Sequence, residues 1–132
     1  MLLLQPHFRV QLGGEARAHF PRECCGLIEG RDGKIDFLHP VKNLSTQNHR
    51  FEIDPREQFR LLKETRARGT DIIGCYHSHP NGRPEPSITD REGAGEDDFL
   101  WLVIALTGPQ SPVTIQAFVF EAGKFAPVEL TE

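Results

Sequence analysis

Seven consecutive apolar residues, Leu100-Trp101-Leu102-Val103-Ile104-Ala105-Leu106, set the strongest limit on how this chain can fold. The run is too short to cross a bilayer as a helix, which takes about 20 residues. It also lacks the alternation of a strand wetted on one face, so it predicts a strand buried on both faces. Such a strand needs cover on both sides of its sheet.

Helical cover is legible in two places. Phe8 to Phe20 reads as a helix ended by Pro21, with Gly13 and Gly14 in its interior. An interior glycine costs about 1 kcal/mol relative to alanine, so a kink or a late start is expected there. The clearer helix begins at Asp54, whose carboxylate can cap free N–H groups, with Pro55 at the first helical position. Glu57, three residues after Asp54, completes the pattern of a capping box, Phe59 and Leu62 share one face, and Gly69 is a stop. Strands are expected at Cys24–Glu29 and Lys34–Leu38, joined through Gly30-Arg31-Asp32-Gly33, a tight-turn sequence. Further strands are expected at Asp71–His77, and at Val113–Phe120 and Lys124–Leu130 around Glu121-Ala122-Gly123. Helices mixed with hairpins and a crossover predict an α/β fold, a single-domain three-layer sandwich with a mixed sheet flanked by helices.

With 132 residues, 38% of them hydrophobic and no internal repeat, the whole span 1–132 is expected to form one globular domain. Fifteen basic against nineteen acidic residues leave a net charge of −4, which provides no footprint for nucleic acid. The opening MLLLQP is too short for a signal peptide's apolar core or a membrane span, so a cytoplasmic protein without membrane association is expected. Three cysteines (Cys24, Cys25 and Cys75) make a poor disulfide framework and read as free, buried thiols.

The stretch GCYHSHPNGRPEPSITD, Gly74 to Asp90, carries the chemistry. Strand side chains alternate, so His77 and His79 point to one side and Ser78 to the other. Pro80 ends the ladder, and Pro84 and Pro86 stiffen the loop that follows. Asp90 then arrives as a possible oxygen ligand. Two imidazoles and one carboxylate are a familiar set for catalytic zinc, which keeps a fourth position for water. Hydrolysis also needs a base and a donor for the developing oxyanion; Ser87 could be that donor. Other readings stand beside these. The histidine pair could simply face water, Ser87 could cap a helix starting at Ile88, and the acidic run to Asp98 could be a solvated face. Local chemistry alone does not choose between them.

The full pattern resembles the signature of the JAMM metallopeptidases, the MPN-plus domains. It consists of His77-Ser78-His79-Pro80, seven residues between His79 and Ser87, and two between Ser87 and Asp90. Upstream, Pro21-Arg22-Glu23-Cys24-Cys25-Gly26-Leu27 resembles the family's second marker, a glutamate preceding a Cys-Gly-Leu strand. The resemblance covers nearly the whole chain and implies an MPN fold akin to that of cytidine deaminases. It implies that His77, His79 and Asp90 bind Zn2+, that Glu23 is the general base, and that Ser87 stabilises the tetrahedral intermediate. Iron, cobalt or manganese could occupy similar groups. The implied activity is hydrolysis of peptide or isopeptide bonds after the C-terminal tail of a ubiquitin-like or sulfur-carrier protein. The compact chain looks like the stand-alone prokaryotic branch, without the long insertions of the large eukaryotic members. The smoother first helix of the family leaves Gly13-Gly14 as a departure.

Two alternatives are set against this. A non-catalytic MPN scaffold would generally lack the metal set, whereas every position is filled. A zinc nucleobase deaminase would need H-x-E and P-C-x-x-C patterns, and both are missing. The segment Arg50-Phe51-Glu52-Ile53 could form an edge strand along a substrate groove; an ordinary short strand or connector is the alternative, and it is preferred for any individual side chain. Cys75 shares strand parity with the histidines, and a core cysteine is preferred over a fourth ligand.

Overall fold

The computed structural model describes all 132 residues. Eleven elements follow in chain order: β1 (Leu2–Leu3), α1 (Pro6–His19), β2 (Cys25–Arg31), β3 (Lys34–Val41), α2 (Pro55–Arg68), β4 (Asp71–His79), α3 (Ile88–Gly93), β5 (Phe99–Ala105), β6 (Thr114–Glu121), β7 (Lys124–Val128) and β8 (Leu130–Thr131). The strands form one sheet in the order β7-β6-β5-β4-β2-β3-β1-β8. It is mixed, as expected: β4 and β5 run parallel, while β2 is antiparallel to both β3 and β4.

The apolar run is β5, and it is buried on both faces as predicted. Leu100, Leu102 and Ile104 pack with Phe8, Leu12 and Ala16 of α1. Trp101 and Val103 pack on the opposite side with Leu61 of α2. The period of two along β5 thus separates two cores, one under each helix, and gives the three-layer arrangement. No helix is long and apolar enough to cross a membrane.

Turn chemistry behaves as the sequence suggests. Asp32 and Gly33 both adopt positive φ, 51° and 74°, and close the β2–β3 hairpin; Ala122 and Gly123 do the same for β6–β7. Asp54 accepts a hydrogen bond from the N–H of Arg56 at 2.9 Å, and Gly69 ends α2 at φ 75°.

Four expectations are corrected. First, α1 runs without interruption from Pro6 to His19 despite Gly13 and Gly14, its buried face (Phe8, Leu12, Gly13 and Ala16) packing on the sheet. Second, the capping box at Asp54 does not form, since the Glu57 carboxylate turns to Arg60 at 2.7 Å. Third, α2 buries Leu61 and Thr65, while Phe59 stays 61% exposed beneath Lys63. Fourth, the last hairpin stops at Val128, and Leu130–Thr131 pair instead with β1. One residue, Glu129, therefore links the two opposite edges of the sheet, which must coil around α1 for those edges to meet.

A buried carboxylate ties three elements together on the α2 side. Glu29 of β2 accepts hydrogen bonds from Arg68 at 2.8 and 3.1 Å and from the Thr70 hydroxyl at 2.6 Å, and its other contact is His39 at 2.7 Å. The Arg68 hydrogen bonds are the main reason its pKa falls to about 2, against the opposing effect of burial. A carboxyl with a depressed folded pKa stabilises the fold above its unfolded value and loses that contribution as pH falls. Glu29→Gln should therefore cost about 1–2 kcal/mol at pH 7, allowing for screening around the half-exposed Arg68, and nothing near pH 2. Urea midpoints of wild type and variant should converge between about pH 4.5 and pH 2.

Candidate functional site

Residues from two elements, β4 and α3, and from the junction between α1 and β2 meet where β4 runs out. β4 is flanked by β2 and β5, so His77 and His79 emerge from the middle of the sheet, with His77 opposite Cys25 on one side and Val103 on the other. Both imidazoles are buried, and they point to the same face, as strand alternation predicts. Ser78 points to the other face and has a definite task. Its hydroxyl accepts the N–H of Cys24 at 2.8 Å, and its own N–H donates to the Cys24 carbonyl at 3.1 Å. This double tie fixes the junction between α1 and β2, and with it Glu23.

Past His79 the chain folds back. The His79 Nδ1–H donates to the Arg83 carbonyl at 2.8 Å, which leaves its Nε2 with a lone pair. α3 follows, capped reciprocally: Ser87 Oγ accepts the Asp90 N–H at 3.0 Å, and Asp90 Oδ2 accepts the Ser87 N–H at 2.8 Å. The capping reading of Ser87 is thus realised, and the same geometry aims Asp90 inward, where it is buried.

The result is a triangle of electron-rich atoms. The two Nε2 atoms lie 2.9 Å apart, and Asp90 Oδ2 is 3.0 Å from each. One proton can bridge only one pair of these atoms at a time, whereas a cation can be shared by all three. Glu23 joins the group: its carboxylate and the two imidazoles offer donor atoms all within 4.8 Å of one another. Asp90 stands at ligand-sharing distance and Glu23 farther out. Glu23 is no surface carboxylate: the residue is 3% exposed and its Oε1 is buried without a hydrogen-bond partner, as is Nδ1 of His77. Buried polar atoms left unpaired are costly, and such a cluster fits a site built for a cation.

Charge follows geometry. Burial pushes the Glu23 carboxyl up to about 8. Burial also lowers the pKa of His77. For His79 and Asp90 burial acts against the charged form, but hydrogen bonding prevails: the bond with Asp90 raises His79, and those with His77 and His79 hold Asp90 far below the usual carboxylate range.

Aromatic rings hold the first imidazole. Phe51 stacks on His77 at 4.3 Å and 21°, and Trp101 meets it edge-on at 5.7 Å. Phe51 comes from the segment Arg50–Ile53, which makes only an isolated bridge between Asn43 and Ile53 and is otherwise a connector. Its importance was not visible in the sequence, because no periodicity links residue 51 to residue 77. Cys75 lies deeper along β4 among Leu27, Trp101 and Val103, and burial pushes all three thiols up, Cys24 and Cys25 to about 12. Beside Asp90 opens a cleft of about 390 Å3, floored by Leu27, Phe51, Ile53, Phe99 and Trp101.

The profile of the Prok-JAB family, prokaryotic homologs of the JAB domain, matches residues 6–120. A desampylase from Haloferax volcanii is 36% identical over 91 residues, 67% of this chain and 66% of the relative, so the chain spans a little under two thirds of that protein. A solution structure from Desulfitobacterium hafniense superposes with a TM-score of 0.87 at 30% identity, over 99% of this chain and 92% of the other. A JAB1/MPN domain protein from Archaeoglobus fulgidus shares the fold, with a TM-score of 0.57 at 17% identity over 100% and 97% of the two chains.

The strained protonation of Glu23 is measurable. A carboxyl whose folded pKa is raised destabilises the fold increasingly as pH climbs from its unfolded value to the folded one. In chelator-treated protein, Glu23→Gln should match wild type near pH 4.5 and exceed it by about 2–4 kcal/mol above pH 8, read from urea midpoints.

Proposed function

The chain belongs to the Prok-JAB family, and from that premise we propose that residues 1–132 form one zinc-dependent peptidase domain that hydrolyses peptide or isopeptide bonds. The observation that carries this reading is the convergence of His77, His79 and Asp90 at 2.9–3.0 Å beside a buried, unpaired Glu23 carboxylate oxygen. A purely structural domain gains nothing from such a group. The mixed nitrogen and oxygen donor set fits zinc, and His77, His79 and Asp90 would hold it. When bound, zinc supplies a Lewis acid that makes water nucleophilic near neutral pH.

The remaining work falls to the chain's own groups. Glu23, close to both imidazoles and shielded from bulk water, accepts a proton at its free Oε1 as the bond is attacked and returns it to the departing amine. Burial raises its pKa above that of an exposed carboxyl, which makes the carboxylate a stronger base for that proton. Ser87 Oγ already accepts a hydrogen bond from Asp90, which leaves its own O–H free to donate to the developing oxyanion. The His79–Arg83 hydrogen bond fixes the imidazole's tautomer and orientation.

The substrate proposed is the C-terminal tail of a ubiquitin-like or sulfur-carrier protein. An extended, small-residue tail can reach the buried triangle where a folded surface cannot, and the apolar cleft beside Asp90 can take side chains upstream of the scissile bond. The similarity to a protein named desampylase supports this class of substrate.

Metal analysis after purification should find about one zinc per wild-type chain and none in His77→Ala. Glu23→Gln should keep its zinc and lose about 10²–10⁴ in kcat, because it removes a proton carrier rather than a ligand. Incubation with a ubiquitin-like protein fused through its C-terminal glycine to a second peptide should release that peptide, with the cut located by mass spectrometry. An intact fusion in the presence of zinc-loaded protein would move the substrate elsewhere.

A further inference from the structure

Asn43 lies outside every motif above, yet its side chain is buried and uses its whole hydrogen-bonding capacity. Nδ2 donates to the Glu23 carbonyl and to the Arg50 carbonyl, each at 3.0 Å. Oδ1 accepts the N–H of Ser45 at 2.9 Å and the N–H of Glu52 at 3.0 Å. Two donors and two lone pairs are all that a carboxamide has. The four partners also fix which way the amide faces, since a flipped amide would set N–H against N–H and oxygen against oxygen. Aspartate has the shape but no donor, and serine cannot serve four partners.

The position of those partners gives the arrangement its meaning. Arg50 and Glu52 bracket Phe51, the ring stacked on His77 at 4.3 Å. The Glu23 carbonyl belongs to the residue whose carboxylate stands beside the same imidazole. A single side chain thus joins the backbone of Glu23 to the loop that presses on His77. We infer that Asn43 is a positioning residue, locking Glu23 and the Phe51–His77 stack into one spatial relation. The kinetic part of this inference rests on the peptidase reading; the geometric part does not.

Asn43→Asp keeps both acceptor contacts but replaces the two donated hydrogen bonds with a carboxylate oxygen, and its negative charge, facing the Glu23 and Arg50 carbonyls, so it breaks the clamp from the donor side. In the zinc-loaded variant, the metal content per chain should be unchanged. kcat should fall at least about tenfold, and KM should stay within about twofold, the signature of a misplaced group rather than lost binding. The ring protons of His77, shielded in wild type by the Phe51 face, should shift in the NMR spectrum of the variant. Wild-type kcat per folded molecule together with unmoved His77 resonances would overturn the proposal and leave Asn43 a contributor to stability alone. Should the variant not fold, the wild-type protein decides. The Asn43 side-chain amide protons should exchange with solvent at least about a hundredfold more slowly than those of the exposed Asn48, and equal exchange rates would overturn the clamp. If the wild-type chain cleaves no substrate, the peptidase reading fails on its own. A His77 shift in Asn43→Asp would still support the geometric clamp, and an unchanged spectrum would still refute it.

Discussion

The antiparallel pairing of β2 with β4 underlies everything else in this molecule. It sets Cys25 opposite His77 and Gly26 opposite Tyr76, and so decides where the α1–β2 junction ends relative to the histidine pair. The fit is close. The Tyr76 ring occupies the space a Cβ on residue 26 would need, so only glycine admits the ring there. Tyr76 then reaches Glu15 of α1 with its hydroxyl at 2.7 Å, which anchors the helix that precedes Glu23. Slipping the register by one residue would turn both histidines into the α1 core and carry Glu23 away from them. A carboxyl and two imidazoles from distant parts of the sequence are brought together by one strand pair.

That arrangement accepts a local cost. Four ionisable side chains share a dry pocket, two of their polar atoms lack partners, and Glu23 is pushed toward its neutral form. Stability is supplied nearby, by the two apolar cores on either face of β5 and by the network around Glu29. Glu23 and Glu29 show how far environment controls a carboxyl. They lie six positions apart in sequence, yet one is raised by burial without a partner and the other is lowered by Arg68.

Much of this could be read from the chain. β5 announced itself through unbroken apolarity, α2 through Asp54, Pro55 and Gly69, and the hairpins through Asp32-Gly33 and Ala122-Gly123. The site residues were legible because their spacing resembles a known pattern, and parity along β4 placed both imidazoles on one face. What escaped notice depends on distant contacts. β1 and β8 are two residues each, too short for any periodicity; β1 is held between β3 and β8, and β8 by β1 alone. The continuity of α1 through Gly13-Gly14 was not legible because helix propensity ignores the packing of Phe8, Leu12 and Ala16 that holds the helix on the sheet. Asn43 and Phe51 sit in a polar connector and become meaningful only once Glu23 and His77 stand beside them.

The reciprocal cap between Ser87 and Asp90 has one more consequence. α3 has six residues, too few to persist through its own hydrogen bonding, so its order derives from that cap and from its neighbours. The sheet delivers the two imidazoles rigidly, whereas the acidic arm of the triangle arrives on this short helix. Breaking the cap would therefore release both the helix and the direction in which the Asp90 carboxylate points, while the strands that carry the imidazoles keep their pairing.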